Sequence, residues 1–289
     1  MQTNFAPISE KRSRKTDKSL LLLLLILIII IYCAPTFWMI STSFKENSRI
    51  FSKWIQWIPN PFTFENYQFA FQHYPLGRWL LNSTVVSVMV VVFTLLIDLP
   101  AGYVLARTKF RGSSLFFALC LLSMMIPVQT YLIPLYLLFG QLGLLNTYLG
   151  LVLPLLANGF GVFLFRQFIT QIPVEMDEAA IIDGASRWMI LRRIIFPLCK
   201  PAVATMIIFR FMASWNDFTW PLVAASTDMV KTQSVGLALH VFGVVGASMS
   251  SPRYALSMAA AFVVTLPTII VFLLMQRYFV EGISTSGIK

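Results

Sequence analysis

Charge is missing from long stretches of this chain. From Ser19 to Phe44 there is no Asp, Glu, Lys or Arg, and the run contains the unbroken aliphatic stretch Leu20 to Ile31. Similar windows lie between Arg78 and Asp98, between Arg111 and Arg166, and between Arg253 and Arg277. About 20 apolar residues in a helix cover the roughly 30 Å of hydrocarbon in a bilayer. Each window is therefore long enough to cross at least once. Of 289 residues, 57% are hydrophobic and 12% charged, against about 25% charged in an ordinary soluble domain. The expected fold is all-α, a polytopic membrane protein with no room for a large soluble domain.

The first window begins like a signal peptide, behind Lys11, Arg12, Arg14, Lys15 and Lys18. A cleavable signal, however, has an apolar core of about 7–15 residues and a small-residue cleavage site. This run is longer and continues into Phe37, Trp38 and Met39, so it reads as an uncleaved first span over residues 19–40. The window from Arg111 to Arg166 holds 54 residues, too many for one crossing, and the polar stretch Gly140 to Thr147 divides it into two helices. A further span falls between Lys200 and Asp228, interrupted by Arg210 and Asp217. Six transmembrane helices result.

The basic residues test this count, because cytoplasmic loops are enriched in Lys and Arg. With the N-terminus inside, fifteen basic residues fall on the inner side and six on the outer, with Arg210 inside a span. Both termini are expected in the cytoplasm, and the net charge of +10 is topology, with no nucleic-acid partner implied. The expected organisation is a basic segment 1–18, a six-span domain 19–282 and a tail 283–289. Cys33, Cys120 and Cys199 have no metal-ligand spacing and imply no disulfide framework. Pro127, Pro134, Pro154, Gly159, Gly161 and Pro267 sit within spans, where neighbouring helices re-satisfy freed backbone groups; ordinary kinked packing and a dedicated gate are both open readings.

The inner segment between the fourth and fifth spans, residues 173–197, is punctuated as two short helices. Pro173 suits a first-turn position, and Glu175, Asp177 and Glu178 place negative charge at the positive end of the helix dipole. Gly184 is a natural stop. A second helix from about Ala185 would align Trp188, Leu191 and Ile195 on one face, with Arg192 and Arg193 in its last turn and Pro197 closing it. Ala179 and Ala180 leave one surface nearly free of side-chain bulk, beside the charge of Glu178. That describes a docking surface; a helix lying on lipid headgroups is the other reading, although acids rather than bases flank its small residues.

The run Glu178-Ala179-Ala180, three residues, Gly184, nine residues, Ile194, one residue, Phe196-Pro197 resembles the EAA loop of permease subunits in bacterial binding-protein-dependent ABC importers. The family usually has Leu where Phe196 stands. Trp57-Ile58-Pro59, Glu65-Asn66-Tyr67, Ala101 to Arg107, Trp215-Asn216-Asp217-Phe218 and Gln276 to Gly282 extend the resemblance over nearly the whole chain, toward the second permease subunit of maltose-type sugar importers. It implies that Glu178, Ala179, Ala180, Asp183, Gly184, Ala185 and Pro197 form a coupling helix seated on an ATPase. It also implies a homologous permease partner, two cytoplasmic ATPase subunits carrying ATP and magnesium, and an extracytoplasmic solute-binding protein. The location implied is the bacterial inner membrane. The tail, Ser284, Gly287 and Lys289, would also reach the ATPases.

Arg210 and Asp217 are seven residues apart, which on one helix is about two turns or roughly 10 Å. Arg210, Asn216 and Asp217 either line a translocation path or fix packing and assembly. Asp98, near the inner end of its span, would contact Arg107 or interfacial water. Trp79, Trp215, Trp220 and Tyr278 suit interfacial anchors or sugar-stacking platforms. No phosphate loop, zinc motif or nucleophile elbow is present, so the chain is expected to be non-catalytic, with no bound cofactor or metal. The competing function is a secondary transporter driven by a proton or sodium gradient through Asp98 or Asp217, for which no internal repeat speaks.

Overall fold

A computed structural model describes residues 10–50, 54–156, 158–241 and 253–286. Every regular element among them is helical. The chain divides into two compact units, residues 1–70 with 251–262, and residues 71–250 with 263–289.

In the first unit, α1 (Glu10–Ser43) reaches further back than the apolar run. From Leu20 to Ile31 every side chain is about half exposed, as suits a helix apolar on all sides and facing lipid. Its end is fixed by polar contacts. The amide of Asn66, in α2 (Glu65–His73), donates to the carbonyls of Ser43 and Lys45 at 2.9 and 2.8 Å. Lys45 is buried, donates to the Gln56 carbonyl and lies 4.0 Å from the Trp38 ring centroid; burial lowers its pKa. Phe44 stacks on Phe62 with centroids 4.5 Å apart.

The second unit is organised around α3 (Leu76–Arg107), 32 residues without a break and so roughly 48 Å long. After it come α4 (Ser113–Ser123) and α5 (Val128–Gln141), meeting at 97°, then α6 (Tyr148–Leu156) and α7 (Phe160–Thr170), meeting at 48°. Next are α8 (Glu175–Ile182), α9 (Arg187–Ile190), a π turn (Leu191–Ile195) and α10 (Phe196–Leu198), which meets α11 (Lys200–Trp215) at 80°. The short helices α12 (Thr219–Ala224) and α13 (Gln233–Gly236) precede a second π turn (Leu237–Val241) and α14 (Tyr254–Ser286). Among the described residues three segments are long and apolar enough to cross a membrane singly: Lys18–Ser43, Leu76–Arg107 and Tyr254–Arg277. Each of the three bent pairs qualifies only when taken together. The window expected to hold two helices therefore holds four pieces, broken at the turn of residues 142–147 and again beside Pro127 and Gly159.

α3 packs against α7, α11, α6 and α13. Lipid gives helices no hydrophobic reason to associate, so close approach at small residues decides such contacts. A Cβ on Gly102 would sit 2.7 Å from Cβ of Phe165, and one on Gly161 would collide with the Asp98 carboxylate and Met206. Around the first contact, Leu99, Tyr103, Phe165, Ile169 and Met206 form one core; Val86, Val90, Phe139, Leu151 and Trp220 form another.

Trp79, Trp215 and Trp220 are not interfacial anchors. All three are buried, and their indole N–H groups donate to Asp228, the Val264 carbonyl and the Gly150 carbonyl at 3.1, 3.0 and 2.9 Å. Their rings fill helix contacts, and each N–H finds an acceptor inside the protein. The side chain of Tyr278 lies outside the described residues. The N-terminal end of α3 is pinned to the following segment, since Asn82 donates to the Lys231 carbonyl at 2.9 Å and Lys231 pairs with Asp228 at 2.9 Å. The Lys231 ammonium, with the Trp79 N–H, holds the Asp228 carboxyl below the ordinary carboxylate range. A depressed carboxyl stabilises the fold above its unfolded pKa of about 3.9. That contribution is lost as pH falls through the lower folded value.

Replacing Gly102 with Leu should overpack the α3–α7 contact by about 1–3 kcal/mol. The expected readout is a melting midpoint several degrees lower in detergent, with Gly77→Leu as control, since nothing lies within 4 Å of a Cβ there.

Candidate functional site

The segment between α7 and α11 folds as the elbow that its punctuation announces, with shifted boundaries. Pro173 lies just ahead of the N-cap Val174 rather than in the first turn. Val174 supplies the carbonyl that opens α8, accepting from Asp177 and Glu178 at 3.0 and 3.1 Å. The acids Glu175, Asp177 and Glu178 occupy that first turn. At the other end the amide of Ala185 donates to the Ala180 carbonyl at 2.9 Å and that of Gly184 to Ile181 at 3.0 Å. With Gly184 at φ +82°, this is a Schellman cap, whose left-handed residue favours glycine. The next helix starts at Arg187, not Ala185, because the Ser186 side chain caps it by accepting from the Met189 amide at 3.3 Å.

Pro197 does not close that helix. The chain widens into a π turn over Leu191–Ile195, with the Phe196 amide bonded back to the Leu191 carbonyl, and continues helically to Leu198. The same widening corrects the expected apolar face. Residues seven apart align in an α-helix, which groups Trp188 with Ile195, whereas the wider π turn holds more residues per turn and rotates that pair apart. Leu191 and Ile195 of that face are buried and Ile190 joins them, while Trp188 is 63% exposed.

Glu178, Ala179, Asp183, Gly184 and Pro197 are exposed, and Ala180 and Ala185 half-buried. Beside them Ile182 stands 85% and Ile181 54% exposed. The elbow thus presents small residues, the acids Glu178 and Asp183 and uncovered aliphatic side chains on one protrusion.

Asp177 points the other way. Its side chain is 7% exposed, and Oδ2 accepts from Nε of Arg107 and from the Tyr103 hydroxyl, both at 3.2 Å. Arg107 also donates to the Ile172 carbonyl at 2.8 Å, and Arg187 donates to the Thr108 hydroxyl at 2.8 Å. Both halves of the elbow are therefore tied to the end of α3, the first to its last turn and the second to Thr108 just after it. Losing one partner of a buried ion pair costs about 3–5 kcal/mol. Sequence reasoning gave Asp177 only a helix-dipole role. The available signal was Arg107, a cation whose one nearby acid in the chain, Asp98, lies two and a half helical turns back.

Asp98 lies two and a half turns before the end of α3, since that helix continues through Pro100 to Arg107. Its neighbours are Gly161 and Arg210, not Arg107, and its Oδ2 is buried without a hydrogen bond. Arg210 is buried and donates to the Thr94 hydroxyl at 3.3 Å and to the Leu155 carbonyl. It does not share a helix face with Asp217. The helix ends at Trp215, with Asn216 as its C-cap, and the Asp217 carboxylate accepts from the amides of residues 218–220 to open α12, the usual duty of Asp at a helix start. Asn216 is exposed and donates to the Met212 carbonyl at 2.9 Å. Ser284 falls in the last turn of α14, its side chain outside the described residues, as are Gly287 and Lys289. Among the described residues no three His, Cys, Asp or Glu side chains gather as metal ligands.

The family described as binding-protein-dependent transport system inner membrane component matches residues 98–285. The chain belongs to this family. It is a multi-pass permease component of the inner membrane, as the EAA-loop resemblance implied. Over 260 residues it is 34% identical to the arabinooligosaccharides transport system permease protein AraQ of Halalkalibacterium halodurans, covering 88% of this chain and 90% of that one. It is 36% identical over 214 residues to the lactose transport system permease protein LacG of Rhizobium radiobacter, covering 74% and 76%. The sn-glycerol-3-phosphate transport system permease protein UgpE of Yersinia pestis bv. Antiqua is 32% identical over 247 residues, covering 83% and 86%. In fold, the permease component superposes at TM-score 0.82 and 23% identity on a bacterial ABC transporter involved in import of the acidic polysaccharide alginate, over 95% of this chain and 100% of that one.

Replacing Gly184 with Val forces a β-branched residue to φ +82°, at about 1–3 kcal/mol. Trypsin cleavage at Arg187 should accelerate several-fold, and an unchanged rate would contradict the cap described.

Proposed function

We propose that this chain is one permease subunit of an ATP-driven importer for a sugar or oligosaccharide. It would form the translocation path with a homologous permease and receive solute from an extracytoplasmic binding protein. The named relatives transport arabinooligosaccharides, lactose and sn-glycerol 3-phosphate, and two of these three are sugars. In this reading the chain crosses the membrane six times, each bent pair counting as one crossing. Both termini lie in the cytoplasm, in accord with the placement of basic residues, and residues 1–18 and 283–289 flank the spanning domain.

The observation that carries the coupling role is the exposed elbow itself. Glu178, Ala179 and Ala180 lead to a left-handed Gly184, flanked by Asp183 and Ala185, while Asp177 is turned inward. Ile181 and Ile182 would be costly to leave in water and are covered when the elbow seats in a cleft of an ATPase subunit. Pro197, beyond the π turn, marks the return into the membrane. ATP and magnesium then belong to two partner ATPases, and Ser284, Gly287 and Lys289 supply a second contact with them. Of the three polar residues assigned to the path, Asn216 keeps an exposed side chain; Arg210 and Asp217 shape its wall from within. The permease itself catalyses nothing.

A gradient-driven transporter is favoured by one observation, the buried and unpartnered oxygen of Asp98. Reconstitution separates the two readings. The purified chain alone should show no uptake under a proton or sodium gradient, and Ala179→Cys should crosslink to an ATPase subunit in the working assembly. Gradient-driven uptake by the chain alone, with no such crosslink, would reverse the assignment.

A further inference from the structure

Besides the packing of Ala180 and Ala185 on the core around Tyr103, the described residues tie the elbow to the membrane part of the second unit by three routes. Two are covalent: back through Gln171 and Ile172 to α7, and forward through the π turn to α11. The forward route is bent by 80° where α10 meets α11 and widened over five residues. The third route is not covalent. It runs from Asp177 to Arg107 and Tyr103, and from Arg187 to Thr108, into the last turn of α3 and the residue after it. Those ties grip both halves of the elbow, and the element they grip is the unbroken 32-residue helix. At its far end the same helix is held to another segment, Trp79 donating to Asp228 at 3.1 Å, Asn82 to the Lys231 carbonyl at 2.9 Å, and Arg78 to the Met229 carbonyl at 3.3 Å.

Building on the ATPase-docking role proposed above, we propose that Asp177 and Arg107 are positioning residues that pass the elbow's motion into α3, which delivers it as a rod to residues 228–231 on the opposite side. A buried, hydrogen-bonded ion pair suits this duty. Both charges are withdrawn from solvent, so parting them would leave a buried charge uncompensated, and the pair moves as one body. Arg107 adds direction, because its guanidinium fork fixes Asp177 and the Ile172 carbonyl together, which an ammonium cannot do in the same geometry. Tyr103 holds the carboxylate from one turn further along α3. The π turn is the more compliant branch; α3 lacks one ladder bond at Pro100 yet stays helical from Leu76 to Arg107, so motion at the elbow reaches the far side chiefly through α3.

The test reads the far end while nucleotide acts at the near end. In the assembled transporter, with Cys33→Ser and Cys120→Ser removing the more accessible thiols, Met229→Cys is labelled by a membrane-impermeant maleimide with and without a non-hydrolysable ATP analogue. Met229 is 64% exposed, so its labelling rate reports local rearrangement. The parent rate should change several-fold on nucleotide binding. Asp177→Asn and Arg107→Gln should each reduce that change roughly tenfold, and the double variant no further than either single one, because both break one linkage. Arg107→Lys should recover part of it. A parent assembly without a nucleotide-binding subunit overturns the docking reading itself. A parent that binds nucleotide with no change at Met229→Cys, or variants that respond at parental size, overturns the rod alone. Should Asp177→Asn not assemble, Arg107→Lys and Tyr103→Phe decide: one of them must shrink the response, and parental responses from both reject the proposal.

Discussion

Hydrocarbon offers no hydrogen bonds, so every polar group carried into it must find a partner within the protein. That constraint explains most of what the second unit does with its polar residues. Arg210 reaches a hydroxyl and a backbone carbonyl on neighbouring helices, Ser87 meets Ser214 at 3.3 Å, and three tryptophan N–H groups end on acceptors inside the fold. With hydrophobic burial giving little reason for helices to associate there, contact depends on how closely backbones approach. Gly102 against Phe165 and Gly161 against Asp98 set that distance for α3 and α7.

Features fixed by local chemistry were legible without coordinates. Charge-free windows marked the apolar segments because the cost of burying charge acts residue by residue, and the Asp183-Gly184 pair marked the bend because only glycine is comfortable in a left-handed cap. The protrusion of the elbow was legible for the same reason: Glu178, Ala179 and Gly184 are exposed where the pattern placed them.

Features that depend on distant residues were hidden. Asp177 and Glu178 are adjacent acids in one helix, and nothing local says that one turns inward to an arginine 70 residues away. Trp188 was misplaced because helical periodicity assumes a uniform ladder, and a π turn is set by packing on both sides of it. Asp217 was grouped with Arg210 on the same assumption of an unbroken helix, although Asn216 and Asp217 both prefer caps to helix interiors. Nearness in sequence offers Asp98 either Arg107 or interfacial water, while the fold gives Arg107 to the elbow.

The π turn over Leu191–Ile195 has a bearing on chain length. Such a turn accommodates one residue more than an α-helical ladder holds, without rotating what precedes or follows it. A deletion within these five residues therefore returns the ladder to ordinary pitch and leaves α11 in register, with Arg210 still facing Thr94 and Leu155. An added residue finds no such slack, and must turn α11 by about 100°. Between elbow and membrane, this stretch can lose a residue far more readily than it can gain one.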